Sequence, residues 1–483
     1  MTESLGREAG QALRWNTLAT FSLLISQLLQ LLVLARWLSP AQFGLAATVM
    51  AVIGFAQGFT DLGLANALVQ RTEVSDKVWR SAFWFCVLAG TGLGLLLAGS
   101  SPWLEKIFHL QGFALILSLA AFLLPWTGAA SVFQSELQRR LRFSYLAKVE
   151  IVAAWSALAV ALLWAHWRPE SMALIAGQGA LALLRCLGFS FAFPLRILKG
   201  FFHWVDLKPL MAFGGYQMGD RVLAIAALNL DRLLVARFLG VEAAGFYTVA
   251  SQIALRPMAL FGPMVLKTLF PLFTRMQEDK SRLAASFLRA LSILSPGAAL
   301  IYALMVGLAD PLVRLVLGAQ WIPAIPVLQI LSGLGFIWVI TNPVGSLMLA
   351  LGRVQTGFWL TALVLVSNVL GLSIGSQYGI QGAAWGMVIA ALLMTPCDFI
   401  VLRHWVGMQP FSLSIAAGWA LPAAVFAALV MRGITLNGEA AAWVGLIFKG
   451  CIGVLAFASA LFVLQRKRMW ETLADFKGRW TKT

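Results

Sequence analysis

The chain is short of charge. Of its 483 residues, 12% are charged and 60% are hydrophobic, whereas a soluble domain carries roughly 25% charged residues. That shortage excludes a water-soluble fold of this size, since too little polar surface is available to cover it. Cysteine is scarce too: Cys86, Cys186, Cys397 and Cys451 lie in apolar runs, with no CxxC spacing and no histidine nearby. A disulfide framework or a metal site is therefore not expected. His109, His166, His203 and His404 fall at segment ends and do not cluster. No motif asks for a cofactor. Long polar stretches are missing, so no soluble domain fits anywhere. The opening "MTESLGREAGQALRW" carries acidic residues and no cleavage site after a short apolar core, so it is not read as a removable leader.

What the chain has in abundance is apolar length. A membrane helix needs about 20 predominantly apolar residues, and about fourteen such runs follow one another: 15–36, 41–60, 80–101, 112–134, 147–166, 170–191, 211–236, 243–270, 284–308, 325–350, 356–375, 381–402, 412–431 and 441–464. With the N-terminus inside, the inner segments collect Arg139, Arg140, Arg142 and Lys148, then Arg275, Lys280, Arg282 and Arg289, and the basic tail. The outer loops hold only Arg36, Lys106, Arg168, Arg237, Arg314 and Arg432. The asymmetry predicts that both termini are cytoplasmic. It also accounts for the net charge of +16 without a nucleic-acid partner. Many tryptophans, among them Trp15, Trp37, Trp79 and Trp103, stand near predicted span ends, where an amphipathic ring suits the headgroup layer. In the tail, Trp470, Leu473, Phe476 and Trp480 alternate with basic residues near helical spacing, which predicts a helix on the inner leaflet, with a disordered basic tail as the alternative.

The chain also repeats itself. "LARWLSPAQFGL" (34–45) and "VARFLGVEAAGF" (235–246) align 201 positions apart, sharing Ala-Arg-aromatic-Leu and a later glycine. The copies fall at the outer ends of the first and seventh spans. Six helices separate them, an even number, so both copies have the same orientation. This predicts an all-α integral membrane protein of two six-helix lobes in parallel repeat, with two further helices at the C-terminus. The expected divisions are 1–191 for the first lobe, 192–210 for a cytoplasmic linker, 211–402 for the second lobe, 403–464 for the two additional spans and 465–483 for the tail. In transporters built from repeats, the substrate path lies between the repeats near the midplane.

Ionisable side chains at the bilayer centre cost at least about 2.5 kcal/mol, so they usually face a polar path or one another. The seventh span repeats Asp-Arg at Asp220–Arg221 and Asp231–Arg232. Eleven residues turn a helix to within about 20° of the same face, and adjacent residues do not face each other. The two steps thus form one charged stripe that needs partners elsewhere, or water. Snorkelling of Asp231 and Arg232 at the outer end is the alternative. In the eighth span Arg256 and Lys267 share a face, and Pro257 and Pro263 are expected to kink or break that helix. Arg185 in span six is a further candidate, with a structural ion pair to an aspartate as its alternative. Arg36 and Arg237 occupy matched outer ends, either as rim contacts that change on opening or as interfacial anchors beside Trp37 and Phe238.

Four segments carry a family resemblance: "FTDLGLANALVQR" (59–71), "NLDRLLVARFLGVEAAGFYTVASQIALRPM" (229–258), "LFPLFTRMQEDKSRL" (269–283) and "LADPLVRLVLGAQWIPAIPVLQIL" (308–331). With them the chain resembles the Wzx-type flippases, the polysaccharide branch of the multidrug/oligosaccharidyl-lipid/polysaccharide exporter superfamily, and within it the exporters of colanic-acid-type exopolysaccharide. The resemblance implies a two-lobed bundle around a central cavity in the bacterial inner membrane. The implied substrate is an oligosaccharide repeat unit on undecaprenyl diphosphate, flipped from the inner to the outer leaflet, with polysaccharide polymerase and export machinery as implied partners. On that footing Arg256, Arg221, Arg232, Arg185 and Lys267 are candidates for a cationic cavity, because guanidinium groups meet diphosphate with bidentate, charge-assisted hydrogen bonds. Asp220, Asp231 and Asp61, together with Arg36 and Arg237, are candidates for gating or for coupling to protons or sodium.

Three other functions are weighed against this one. A drug or cation antiporter of the same superfamily would be expected to prefer intramembrane acids, whereas arginines are at least as prominent here. A peptidoglycan-precursor flippase would also suit fourteen spans and a cationic cavity. A membrane glycosyltransferase would need a catalytic carboxylate or base in a substantial outer loop; the loops are short, and Glu105 and His109 lack a partner constellation. A non-enzymatic transporter is therefore expected.

Overall fold

The computed structural model describes residues 2–71, 74–211, 215–434 and 442–480. Among the described residues there is no strand. The first helices are α1 (Thr2–Trp37), α2 (Pro40–Thr60), α3 (Asp76–Phe108), α4 (Phe113–Arg139), α5 (Phe143–Trp167) and α6 (Met172–Ser190). They are followed by α7 (215–239), α8 (241–275), α9 (Lys280–Leu317), α10 (Ala324–Ala350), α11 (Val354–Ser376), α12 (Gly379–Val406), α13 (Pro410–Gly433) and α14 (Ala442–Trp480). Among the described residues, twelve helical stretches are long and apolar enough to cross a membrane. The remaining two runs read from the sequence fall on α7 and α8. The expected all-helical membrane fold is met, with a helix at every predicted run.

Local chemistry fixes several ends. Ser39 caps α2 reciprocally: its Oγ accepts from the Gln42 N–H at 3.3 Å, and Gln42 Oε1 accepts from the Ser39 N–H at 2.9 Å. Pro40 occupies the first turn, where a missing N–H costs no intrahelical bond. The Asp279 side chain accepts from the Arg282 N–H at 3.0 Å and starts α9. Breaks occur inside runs that read as continuous: α4 bends at Phe122, α8 at Leu255, and α14 at Gln465 where its apolar stretch ends. In α8 the break precedes Pro257, which sits in the first turn of Arg256–Arg275. The helix then runs on through Pro263, so only one end of the expected kink is realised. The tail helix continues to Trp480, while its side chains from Arg466 on, Trp470 and Trp480 among them, lie outside the described residues.

The chain forms two compact units, Met1–Gly245 and Phe246–Thr483. In the first, α1 packs on α5, α5 on α6, α4 on α3 and α6, and α2 on α3 and α4. Close approach depends on missing side chains: Gly90 and Gly94 of α3 lie against the backbone of α4, and Gly128 of α4 lies against Cys86 of α3. One end of this unit is a core of Trp79, Phe133, Phe189, Phe193 and Leu207. The segment after α6 folds back onto it. Arg80 Nη1 donates to the Lys199 carbonyl at 2.9 Å, and Ser81 Oγ donates to Asp206 Oδ2 at 2.9 Å.

In the second unit, α9 packs on α10, α13 and α14, α10 on α8 and α12, and α11 on α12. The last pair crosses through two facing Gly-x-x-x-Gly steps, Gly371–Gly375 and Gly382–Gly386, each glycine lying against a carbonyl of the other helix. This is the arrangement by which apolar helices pack in lipid without a hydrophobic driving force. Trp419 Nε1 donates to the Ser292 carbonyl at 3.2 Å, and Ser295 Oγ to that of Ala417 at 2.6 Å, tying α13 to α9.

The two copies of the sequence repeat have the same local structure. Leu34 and Ala35 are fully buried, as are Val235 and Ala236, while Arg36–Trp37 and Arg237–Phe238 are exposed. Both copies then break the helix at the same position. In the first the break is the cap Ser39; in the second it is Gly240, whose φ of 86° is open to glycine at little steric cost.

Candidate transport site

Inside the first unit, three helices turn polar faces toward one cavity of about 420 Å³. From α2 come Gln57, Thr60 and Asp61, within one turn. From α4 come Thr127, Ser131 and Gln134, at i, i+4 and i+7. From α6 come Gln178 and Arg185, two turns apart and so on one face. Asp61 ends α2 at a turn built by left-handed Leu62 and Gly63, and the Gly63 N–H donates to Asp61 Oδ1 at 3.3 Å. That turn holds the carboxylate, 4% exposed, at the cavity wall. Leu123, Ala130 and Ala182 supply apolar surface between the polar groups.

The hydroxyls are already committed as donors. Thr60 Oγ1 donates to the Gln57 carbonyl at 2.8 Å, Thr127 Oγ1 to that of Leu124 at 2.9 Å, and Ser131 Oγ to that of Gly128 at 2.8 Å. Their remaining lone pairs are acceptors. The carboxamides of Gln57, Gln134 and Gln178 make no protein hydrogen bond among the described residues. Arg185 is paired with Glu150 of α5, its Nε and Nη2 reaching Oε2 at 2.9 and 2.5 Å. The partner is a glutamate one helix away, in place of the aspartate that the sequence suggested as the alternative.

Of the charged residues singled out by sequence, Asp61 and Arg185 are brought together in this cavity; Arg36, Arg232 and Arg237 do not line it. Arg232 is half-buried, its Nε enclosed without a hydrogen-bond partner among the described residues, while its backbone N–H donates to Asp231 Oδ1 at 2.8 Å. Arg256 lies in the second unit, half-buried at the start of the helix that follows the Leu255 break. The side chains of Asp220, Arg221 and Lys267 lie outside the described residues. Glu105 and His109, weighed above for enzyme chemistry, hold a turn: Glu105 Oε2 accepts from the Ala114 N–H at 2.6 Å, and His109 is the left-handed cap that ends α3. The three glutamines, Thr127 and Ser131 were not singled out by sequence, although polar residues recurring on one helical face of an apolar span would have marked them.

The fold is shared with the lipid flippase MurJ and with MATE family transporters. It superposes on the lipid II flippase MurJ in its inward closed conformation with a TM-score of 0.74, at 16% identity, covering 95% of this chain and 100% of that one. An inward-facing multidrug resistance MATE family transporter superposes at 0.60, with 17% identity over 78% of this chain and 94% of that one. These identities speak to the fold alone. The sequence pattern of the family described as polysaccharide biosynthesis protein matches residues 33–326, and the chain belongs to that family, the Wzx-type branch its motifs resemble. It is 28% identical over 484 aligned positions to the lipopolysaccharide biosynthesis protein WzxC of Escherichia coli K12, covering 96% of this chain and 95% of that one. The teichuronic acid biosynthesis protein TuaB of Bacillus subtilis is 28% identical over 86% of this chain and 85% of its own. The succinoglycan biosynthesis transport protein ExoT of Rhizobium meliloti is 25% identical over 83% and 81%.

Proposed function

We propose that the protein moves an oligosaccharide repeat unit, linked to undecaprenyl diphosphate, from the inner to the outer leaflet of a bacterial inner membrane by alternating access. The observation that carries this is the match, over nearly the whole length of both chains, to a relative named for lipopolysaccharide biosynthesis. The physical problem fits the residues. A diphosphate with polar sugars must cross an apolar slab of about 30 Å, and arginines in a hydrated path offset its charge through bidentate hydrogen bonds. Arg256, Arg232, Arg221 and Lys267 take that role, and Asp220, Asp231 and Asp61 are the groups that respond to a coupling cation. The divisions read from sequence, two six-helix lobes and two further spans, are the moving parts of the same proposal. Both termini are cytoplasmic, as the basic inner segments imply.

The test is a deletion of the chromosomal copy in its own bacterium, followed by extraction of polyprenyl-linked glycans and assay of surface polysaccharide. Loss of surface polymer with accumulation of lipid-linked repeat units supports the proposal. Normal polymer with no accumulation contradicts it.

A further inference from the structure

We propose that the cavity inside the first unit is a glycan subsite that takes one neutral sugar residue of the transported unit. This rests on the proposed function above and adds to it a place where a sugar is held, apart from the arginines assigned to the diphosphate. The argument starts from charge. Arg185, the one arginine among the residues lining the cavity, is already neutralised by Glu150, and Asp61 adds a buried carboxylate. A diphosphate would face no uncompensated cation there. A multivalent metal ion fits no better. Among the described residues no three His, Cys, Asp or Glu side chains come together to hold one.

What remains is neutral and polar. Three carboxamides, Gln57, Gln134 and Gln178, enter from three different helices without protein partners among the described residues. Each presents two N–H donors and a carbonyl acceptor. The hydroxyls of Thr60, Thr127 and Ser131 have spent their protons on backbone carbonyls, so they offer acceptors. A ligand that satisfies this set must both donate and accept at several adjacent points, must be uncharged, and must present C–H surface to Leu123 and Ala182. A pyranose with vicinal hydroxyls does all four. The volume, about 420 Å³, lies within the ~300–1,000 Å³ of small-molecule pockets. Carboxamides suit the task because leaving one unpaired in a low-dielectric cavity is costly, so a sugar of the right pattern gains what a mismatched one forfeits.

The experiment uses the full chain in lipid nanodiscs and saturation-transfer NMR with methyl glycosides of glucose, galactose, mannose, fucose and N-acetylglucosamine, with methyl glucuronide as the charged comparison. Variants are Gln57→Leu, Gln134→Leu and the near-isosteric Gln134→Glu, with the exposed Gln355→Leu as control. Thermal unfolding is recorded first, and Gln134→Glu keeps the test decisive if a leucine variant fails to fold. The expected result is transfer to at least one neutral glycoside and weaker transfer to the glucuronide. Binding should weaken by about fivefold or more in the Gln57 and Gln134 variants, the loss of one or two hydrogen bonds, and stay unchanged in the control. No transfer to any neutral glycoside overturns the subsite, as does transfer that survives the Gln57 and Gln134 changes. Because the deletion experiment reads lipid-linked intermediates, a protein that supports export yet binds no glycoside overturns this inference alone.

Discussion

Gly44 and Gly245 are the same position in the two copies of the sequence repeat, and they lie against each other's helices within the first unit. A β-carbon on Gly44 would overlap the Val241 carbonyl oxygen, and one on Gly245 would overlap that of Pro40. Val241 and Pro40 are themselves equivalent positions of the repeat, so the crossing is reciprocal. Farther along α2, Gly54 meets Asn229 and Gly58 meets Ile225, so α2 and α7 run side by side in opposite senses. The shared glycine of the two motifs is kept for contact between backbones. Gly44→Ala and Gly245→Ala should each lower the unfolding temperature in detergent, with an overpacking cost of about 1–3 kcal/mol. Gly92→Ala, where a β-carbon meets nothing within 4 Å, should leave it unchanged. Equal melting temperatures for all three would remove the crossing from the account.

The α11–α12 pair makes a second packing prediction. Gly386→Val places a branched side chain against the Gly371 carbonyl, and neither helix can retreat without losing the neighbouring Gly375–Gly382 approach. Protein yield in the membrane should fall sharply. Gly352→Ala, where a β-carbon meets open space but φ is 67°, should cost only about 1 kcal/mol of backbone strain, and the contrast is read by quantitative blotting.

The Arg185–Glu150 pair is tested by exchange. Arg185→Gln or Glu150→Gln alone should destabilise by about 1–3 kcal/mol, since each leaves a partly buried charge without its counterion. The reversed pair, Arg185→Glu with Glu150→Arg, should recover most of that loss. The readout is the unfolding midpoint of the four proteins. Additive single losses with no recovery would mean the two side chains act separately.

Much of the fold was legible in the sequence because lipid imposes a length rule that soluble surroundings do not. Each apolar run had to be a helix, and the helices stand where the runs were. The interruptions were less visible. Phe122 bends α4 in the middle of an apolar stretch, and Pro263, which looked like a breaker, lies inside an unbroken helix while the break falls at Leu255. Proline next to a lost hydrogen bond is tolerated in membrane helices because neighbouring groups re-satisfy the backbone. The site was half legible. Charge stands out in an apolar span, so Arg185 and Asp61 could be named as candidates, but Glu150 is 35 residues from Arg185 on another helix and no spacing rule joins them. Gln57, Gln134 and Gln178 carry no charge, and their convergence exists only once three helices are packed.

In the proposed cationic path, Arg256 is the residue to test first. Arg256→Glu should reduce surface polysaccharide by about an order of magnitude or more at matched protein levels, given that one charge-assisted hydrogen bond is worth about 1.5–3 kcal/mol. Arg256→Lys should keep part of the activity, since it retains the charge and loses the planar fork. Full export by the glutamate variant would exclude Arg256 from the path.

The most direct measurement is flipping itself. Lipid-linked repeat units collected from the deletion strain are reconstituted into sealed vesicles with or without the purified protein. Sugars on the outer face are then oxidised with periodate, which does not cross the membrane. Without protein, the pool in the inner leaflet should stay protected. With it, nearly the whole pool should become accessible within minutes, and Arg256→Glu should restore the protection. A protected fraction that is unchanged by the wild-type protein would contradict the assignment of this chain as a flippase.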